Sequence, residues 1–163
     1  MKNFIEIFTD GSCSGNPGPG GWAAVILINN DEYIFSGFEK ETTNNRMELL
    51  ASINSLKKIK EDYKIKLYTD SNYLKNGITL WIQNWKKNSW LNSQKKPVAN
   101  QDLWLQLDNI NKGLNVEWNW VKGHENNLYN NLADKYAVDA MKNQQGRSLK
   151  NNQIIDALKG FQH

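Results

Sequence analysis

Apolar and polar positions alternate over residues 4–9 and stop at Asp10-Gly11-Ser12, which predicts a strand running into a turn. Residues 14–21 are dense in Gly, Pro, Asn and Ser and read as a loop. Two apolar runs, residues 22–28 and 32–38, flank Asn29-Asn30-Asp31 and predict a hairpin. Thr42 or Thr43 then caps a helix reaching about Ile59, with Leu49, Ile53 and Leu56 on one stripe. Residues 65–69 form a short apolar run between polar segments, the pattern of a buried strand. Helices are predicted over 79–88 and 100–112, the second closed by Gly113. Residues 116–121 alternate as a last strand, and 128–141 carry helical periodicity.

This order predicts an α/β fold with a mixed five-stranded sheet. The first three strands are antiparallel, the later ones run parallel to the first, and helices flank the sheet. Residues 1–142 make one domain. Residues 143–163 form a polar tail with an apolar patch at Ile154, Ile155 and Leu158 and room for a short helix.

Composition narrows the class. The chain has 163 residues, 39% of them hydrophobic and 23% charged, with three prolines, which suits one folded domain and no disordered or fibrous one. No apolar run approaches the roughly 20 residues that span a bilayer. Glu6 interrupts the N-terminus before an apolar leader could form, so no secretory signal is expected. Cys13 is the single cysteine and can make neither an internal disulfide nor a zinc site, which points to a reducing cytoplasm.

Net charge is only +3, but its placement is uneven. Residues 71–100 contain no acid, yet hold Lys75, Lys86, Lys87, Lys95 and Lys96 among Tyr73, Trp81, Trp85 and Trp90. Cations interleaved with aromatics suit a polyanion, and they equally suit an amphipathic helix with a solvated lysine face. Of the 20 basic residues 18 are Lys, which favours backbone charge contacts over bidentate base reading. Trp104, Trp118 and Trp120 read as core.

One internal echo carries chemistry. Ile7-Phe8-Thr9-Asp10-Gly11-Ser12 resembles Leu67-Tyr68-Thr69-Asp70-Ser71-Asn72, so two strands each deliver an Asp at the carboxyl end, where open α/β sheets place ligands. Adjacent carboxylates repel unless a cation separates them or one takes a proton. Glu48 between Met47 and Leu49, and Asp134 beside Ala133, bring further acids to apolar helix faces. An all-oxygen set without His or Cys partners selects Mg²⁺ or Mn²⁺ and not zinc. Each acid alone is more simply a turn former or a surface charge, and the metal reading rests on their joint placement.

Several blocks in order resemble bacterial ribonuclease HI, of the type 1 ribonuclease H family. They are Phe8-Thr9-Asp10-Gly11-Ser12-Cys13, Gly15-Asn16-Pro17-Gly18-Pro19-Gly20-Gly21, Thr42-Thr43-Asn44-Asn45-Arg46-Met47-Glu48-Leu49, Thr69-Asp70-Ser71 and Trp120-Val121-Lys122-Gly123-His124. Trp81-Ile82-Gln83-Asn84-Trp85-Lys86-Lys87, Lys95-Lys96-Pro97-Val98 and Asp102-Leu103-Trp104 complete the likeness, which runs from about residue 3 to residue 142.

The resemblance implies a monomeric, cytoplasmic endoribonuclease that cuts the RNA strand of RNA–DNA hybrids by a two-metal-ion mechanism, leaving 3′-hydroxyl and 5′-phosphate ends. It implies that Asp10, Glu48, Asp70 and Asp134 hold two Mg²⁺ ions, for which Mn²⁺ can substitute, with Asp10 bridging them. His124 matches a loop histidine that assists water positioning, proton transfer or product release. Gly11, Ser12, Cys13, Asn44, Asn45 and Asn72 match positions that read RNA 2′-hydroxyls, which an amide can both donate to and accept from. Asn16 and Thr43 match a pocket for a DNA-strand phosphate. Trp81, Trp85, Lys86 and Lys87 match a basic protrusion, the handle, that grips the DNA strand. The chain departs from the family pattern after His124, where Glu125-Asn126-Asn127 replaces a second Gly, at Asn131 in place of Glu, and at Asn72, more often Gln. Two other readings are a hybrid-binding module with little activity and another nuclease on the same scaffold.

Overall fold

The computed structural model describes residues 4–29, 31–122 and 127–150. The chain begins with β1 (Phe4–Cys13), β2 (Gly18–Ile28) and β3 (Asp31–Thr42), then α1 (Asn44–Leu56) and β4 (Lys64–Thr69). Next come α2 (Asn72–Asn76), a π-helical turn (Gly77–Trp81) and α3 (Ile82–Lys87). The order closes with α4 (Gln101–Lys112), β5 (Asn115–Trp120), α5 (Leu128–Asn143) and β6 (Ser148–Lys150).

The sheet has six strands in the order β5-β4-β1-β2-β3-β6. As predicted, β1, β2 and β3 are antiparallel, and β4 and β5 continue the sheet in parallel. The expected count of five is one short because β6 pairs antiparallel with the outer edge of β3, Ile34 facing Leu149. Three residues of mixed polarity carry too little alternation to register as a strand. Tertiary contacts hold them there: the Arg147 amide donates to Ser36 Oγ at 2.8 Å, and its guanidinium Nε reaches Asp139 Oδ2 at 2.6 Å.

Each face of the sheet buries one apolar layer. Ile5, Ile7, Ala24, Ile26, Tyr33 and Phe35 pack on the side of α1 and α4, against Leu49, Ile53, Trp104 and Leu107. Phe8, Val25 and Ile34 pack on the other side against Ala133 of α5, and Phe8 stacks on Tyr68 with centroids 4.8 Å apart. Strand alternation sends odd and even positions to opposite layers, so both helical faces can be apolar at once.

Two glycines allow helices to sit close to the strands. A Cβ on Gly11 would fall 2.7 Å from the Glu48 amide nitrogen, and one on Gly21 would fall 2.2 Å from the Ala137 carbonyl oxygen. The loop expected over residues 14–21 is therefore shorter. Gly18-Pro19-Gly20-Gly21 already belongs to β2, with Gly20 paired to Cys13 and Gly21 to Ser12.

Candidate active site

The echo between residues 7–12 and 67–72 is the strand register itself. Parallel pairing aligns Ile7 with Leu67 and Phe8 with Tyr68, so Asp10 and Asp70 come out beside each other where the two strands end. Helix α1 brings the third acid. Thr43 caps it, its Oγ1 accepting from the Arg46 amide at 3.3 Å, and Glu48 follows in the second turn on the face turned to β1.

One carboxylate oxygen from each of Asp10, Glu48 and Asp70 lies within 4.8 Å of the other two. Asp10 is 8% exposed and Glu48 4%, while Asp70 is the open member. The Trp120 indole donates to the Asp70 carbonyl oxygen at 3.2 Å and fixes the turn after β4. Asp134, exposed on α5, lies close enough to Asp10 to add to the upward shift of its carboxyl. Asp10, Glu48 and Asp70 thus converge, with Asp134 on the neighbouring helix α5.

Without a cation the cluster is electrostatically unfavourable. Burial pushes the Asp10 carboxyl up to about 8, with repulsion from Asp70 and contact with Asp134 adding to it. Burial likewise drives Glu48 well above the usual carboxylate range, reinforced by the Asp10 and Asp70 charges. Glu48 Oε1 is buried with no hydrogen-bond partner, an exception in a folded core. A hard divalent cation would satisfy that oxygen and cancel the repulsion, so the residues present fit a metal site.

The remaining predicted residues frame this cluster. Gly11, Ser12 and Cys13 are the end of β1, and Asn44 and Asn45 are exposed on the first turn of α1. Asn16 Oδ1 accepts from the Asn44 amide at 3.1 Å, so Asn16 and Thr43 share the α1 N-terminus. Asn72 is exposed at the start of α2. His124 and its neighbours Gly123, Glu125 and Asn126 lie outside the described residues, as do Ile154, Ile155 and Leu158.

The handle departs from expectation in its build. Its helix starts at Asn72 and not near Thr79, because Ser71 Oγ accepts from the Leu74 amide at 3.0 Å and caps α2. Trp85 is half-buried, 5.3 Å from Trp104 and 5.9 Å from Trp90 between ring centroids, while Trp81 and Lys87 are exposed. Lys86 points inward, and its Nζ sits 2.9 Å from Asp108 Oδ1 on α4. Trp104 is core as expected and Trp118 is partly buried, but Trp120 is 38% exposed at the mouth of the carboxylate cluster. Arg46 and Asn100 have no role assigned from the sequence. Arg46 lies inside the Thr42–Leu49 block, and that position was the available signal.

Fold and site together define a metal-dependent nuclease: converging carboxylates at the carboxyl ends of two parallel strands, beside a helical protrusion carrying lysine and tryptophan. The chain belongs to the ribonuclease H family, whose sequence profile matches residues 2–142. Two relatives named Ribonuclease H support this. One from Caldanaerobacter subterraneus subsp. tengcongensis is 53% identical over 146 residues, 87% of this chain and 95% of the relative. One from Mesorhizobium japonicum is 52% identical over 141 residues, 86% and 80% respectively. Among solved structures, LC9-RNase H1, a type 1 RNase H with the type 2 active-site motif, superposes with a TM-score of 0.82 at 27% identity. That likeness covers 93% of this chain and 79% of the other. Among the described residues no helix is long and apolar enough to cross a membrane.

Proposed function

We propose that this chain hydrolyses the RNA strand of RNA–DNA hybrids as an endonuclease, leaving 3′-hydroxyl and 5′-phosphate ends. The observation that carries this reading is the cluster of Asp10, Glu48 and Asp70, in which Glu48 Oε1 is buried without a hydrogen-bond partner. Asp10, Glu48, Asp70 and Asp134 hold the ions, which we assign as two Mg²⁺, with Mn²⁺ able to replace them. Bound divalent ions supply Lewis-acid polarisation of the phosphodiester and activation of the attacking water.

The chain supplies orientation and recognition. Asp10 and Glu48 must surrender protons for ions to bind, and their burial keeps competing water away. Gly11, Ser12, Cys13, Asn44, Asn45 and Asn72 line the approach to the cluster and read the RNA 2′-hydroxyls, the group that distinguishes RNA from DNA. Asn16 and Thr43 hold a DNA-strand phosphate at the α1 N-terminus, where backbone amides favour an anion. Trp81, Trp85, Lys86 and Lys87 form the handle on the DNA strand, with Lys87 making the charge contact and Lys86 bracing it through Asp108. His124 moves a proton or helps release product. Residues 1–142 are the catalytic unit, residues 143–163 are accessory, and the cytoplasm is the working compartment.

The test is substrate choice. Purified protein with Mg²⁺ is given an RNA–DNA hybrid, duplex DNA and duplex RNA of one sequence. Cutting of the hybrid's RNA strand alone, with 5′-phosphate product ends, supports the reading. Equal cutting of duplex DNA, or binding of the hybrid with no cutting in Mg²⁺ or Mn²⁺, overturns it.

A further inference from the structure

The hydroxyl of Tyr73 sits where three elements meet. It accepts from the Asn100 side-chain amide at 3.0 Å and from the Trp104 indole at 2.9 Å. Asn100 in turn accepts from Arg46 Nη1 at 3.3 Å, and the same guanidinium grips both oxygens of Asp102 at 2.9 and 2.8 Å. Arg46 stands two residues before Glu48 on α1, and Tyr73 stands three residues after Asp70. On the other side, the Tyr73 ring meets Trp81 edge-on at 5.8 Å, and Trp104 meets Trp85 at 5.3 Å.

Asn100 holds φ 59° and ψ 28°, the left-handed region, and occupies the N-cap of α4 without capping it. Asn tolerates that region better than most residues, yet its amide is spent on Arg46 and Tyr73 and not on the helix end. The backbone conformation therefore serves to aim this side chain at the junction. The Tyr73 hydroxyl thus ties the root of the handle to α4, and the Asn100 amide oxygen carries the link on to Arg46 of α1, the helix that holds Glu48.

We propose that Tyr73 is a positioning residue: its hydroxyl, through Asn100 and Trp104, fixes the handle relative to the carboxylate cluster, so that a hybrid gripped by the handle presents its RNA strand at the right distance. This rests on the reading of the handle as the DNA-strand contact. Loss of the oxygen leaves the carboxylates untouched and loosens only the spacing, so it weakens binding of long hybrids and spares the chemical step.

The experiment compares Tyr73→Phe, which keeps the ring and removes the oxygen, with wild type, well below the melting temperature of both. A long hybrid is used beside a hybrid shortened until Lys87→Ala no longer changes its KM. On the long hybrid the variant is expected to raise KM about tenfold with kcat unchanged, the scale of one lost hydrogen-bonded link. On the short hybrid it matches wild type. Asn100→Gly, which suits the left-handed backbone and deletes the amide, reproduces the effect, and the double variant adds nothing further. A lowered melting temperature with the KM of the long hybrid unmoved overturns the proposal, as does an equal loss on both hybrids. An effect of Asn100→Gly without one of Tyr73→Phe also overturns it, since the amide would then act on substrate directly. If wild type fails to cut the hybrid, or Lys87→Ala changes KM at no length, it is the underlying reading of the site or the handle that has failed.

Discussion

Replacing Asp10 with Asn should stabilise the metal-free protein, and by an amount that depends on pH. The Asp10 carboxyl titrates at about 8 in the fold against 3.8 for the free side chain. A carboxyl raised on folding holds its proton through a window where the unfolded chain has released it. Wild-type stability therefore falls as pH rises from about 4 to about 8 and then levels. Each unit of difference is worth about 1.4 kcal/mol, so four units set a ceiling of about 5–6 kcal/mol. Part of that returns when Glu48 and Asp10 share a proton, and about 2–4 kcal/mol is the expected gain for Asp10→Asn at pH 9. At pH 5 the same arithmetic leaves about 1–2 kcal/mol. Urea unfolding in excess chelator, with both proteins at pH 5 and pH 9, reads the difference directly. A gain of the same size at both pH values, or a loss, would refute the electrostatic account of the cluster.

Other changes test separate parts of the structure. Gly77→Ala places a Cβ 2.0 Å from Trp104 Cη2 and should cost about 2–4 kcal/mol in urea unfolding. Lys86→Ala leaves Asp108, whose side chain is 11% exposed, with only the more distant Lys112 at 3.4 Å, and should cost about 1–2 kcal/mol of stability. Lys87→Ala should leave stability unchanged and raise KM for long hybrids, with a salt dependence shallower by about one phosphate contact. Truncation after Asn143 removes β6 and the Arg147–Asp139 pair, exposing the edge of β3. It should lower the melting temperature while leaving kcat near wild type.

The sequence pattern located every strand that carries the site and both parallel crossovers, because those segments are long, apolar and bounded by turn residues. The repeated Asp at two strand ends translated directly into a pair of neighbours, since register fixes both together. Elements held by capping or by tertiary contact were less legible. Helix α2 depends on Ser71 and the turn after it on the absence of a Cβ at Gly77, where Trp104 packs, and neither leaves a hydrophobic period. Strand β6 depends on Ser36, 111 residues from Arg147, and on Asp139, 8 residues from it. Trp120 reads as core by residue type, yet its indole hydrogen is needed at the Asp70 carbonyl, which lies at the surface. Lys86 and Lys87 are adjacent and chemically alike, so only the helix face separates a brace from a contact.

Asp10 and the three carboxylates proposed with it, Glu48, Asp70 and Asp134, are expected to carry divalent-metal cleavage of a hybrid's RNA strand. The most direct measurement is cutting of an end-labelled RNA–DNA hybrid across a Mg²⁺ titration at pH 8, with Asp10→Asn alongside. The account predicts saturable, metal-dependent cutting by wild type, none in chelator, and none by Asp10→Asn at any Mg²⁺ concentration, although that variant is folded and binds the hybrid. Cutting that persists in chelator, or in Asp10→Asn at a comparable rate, would contradict it.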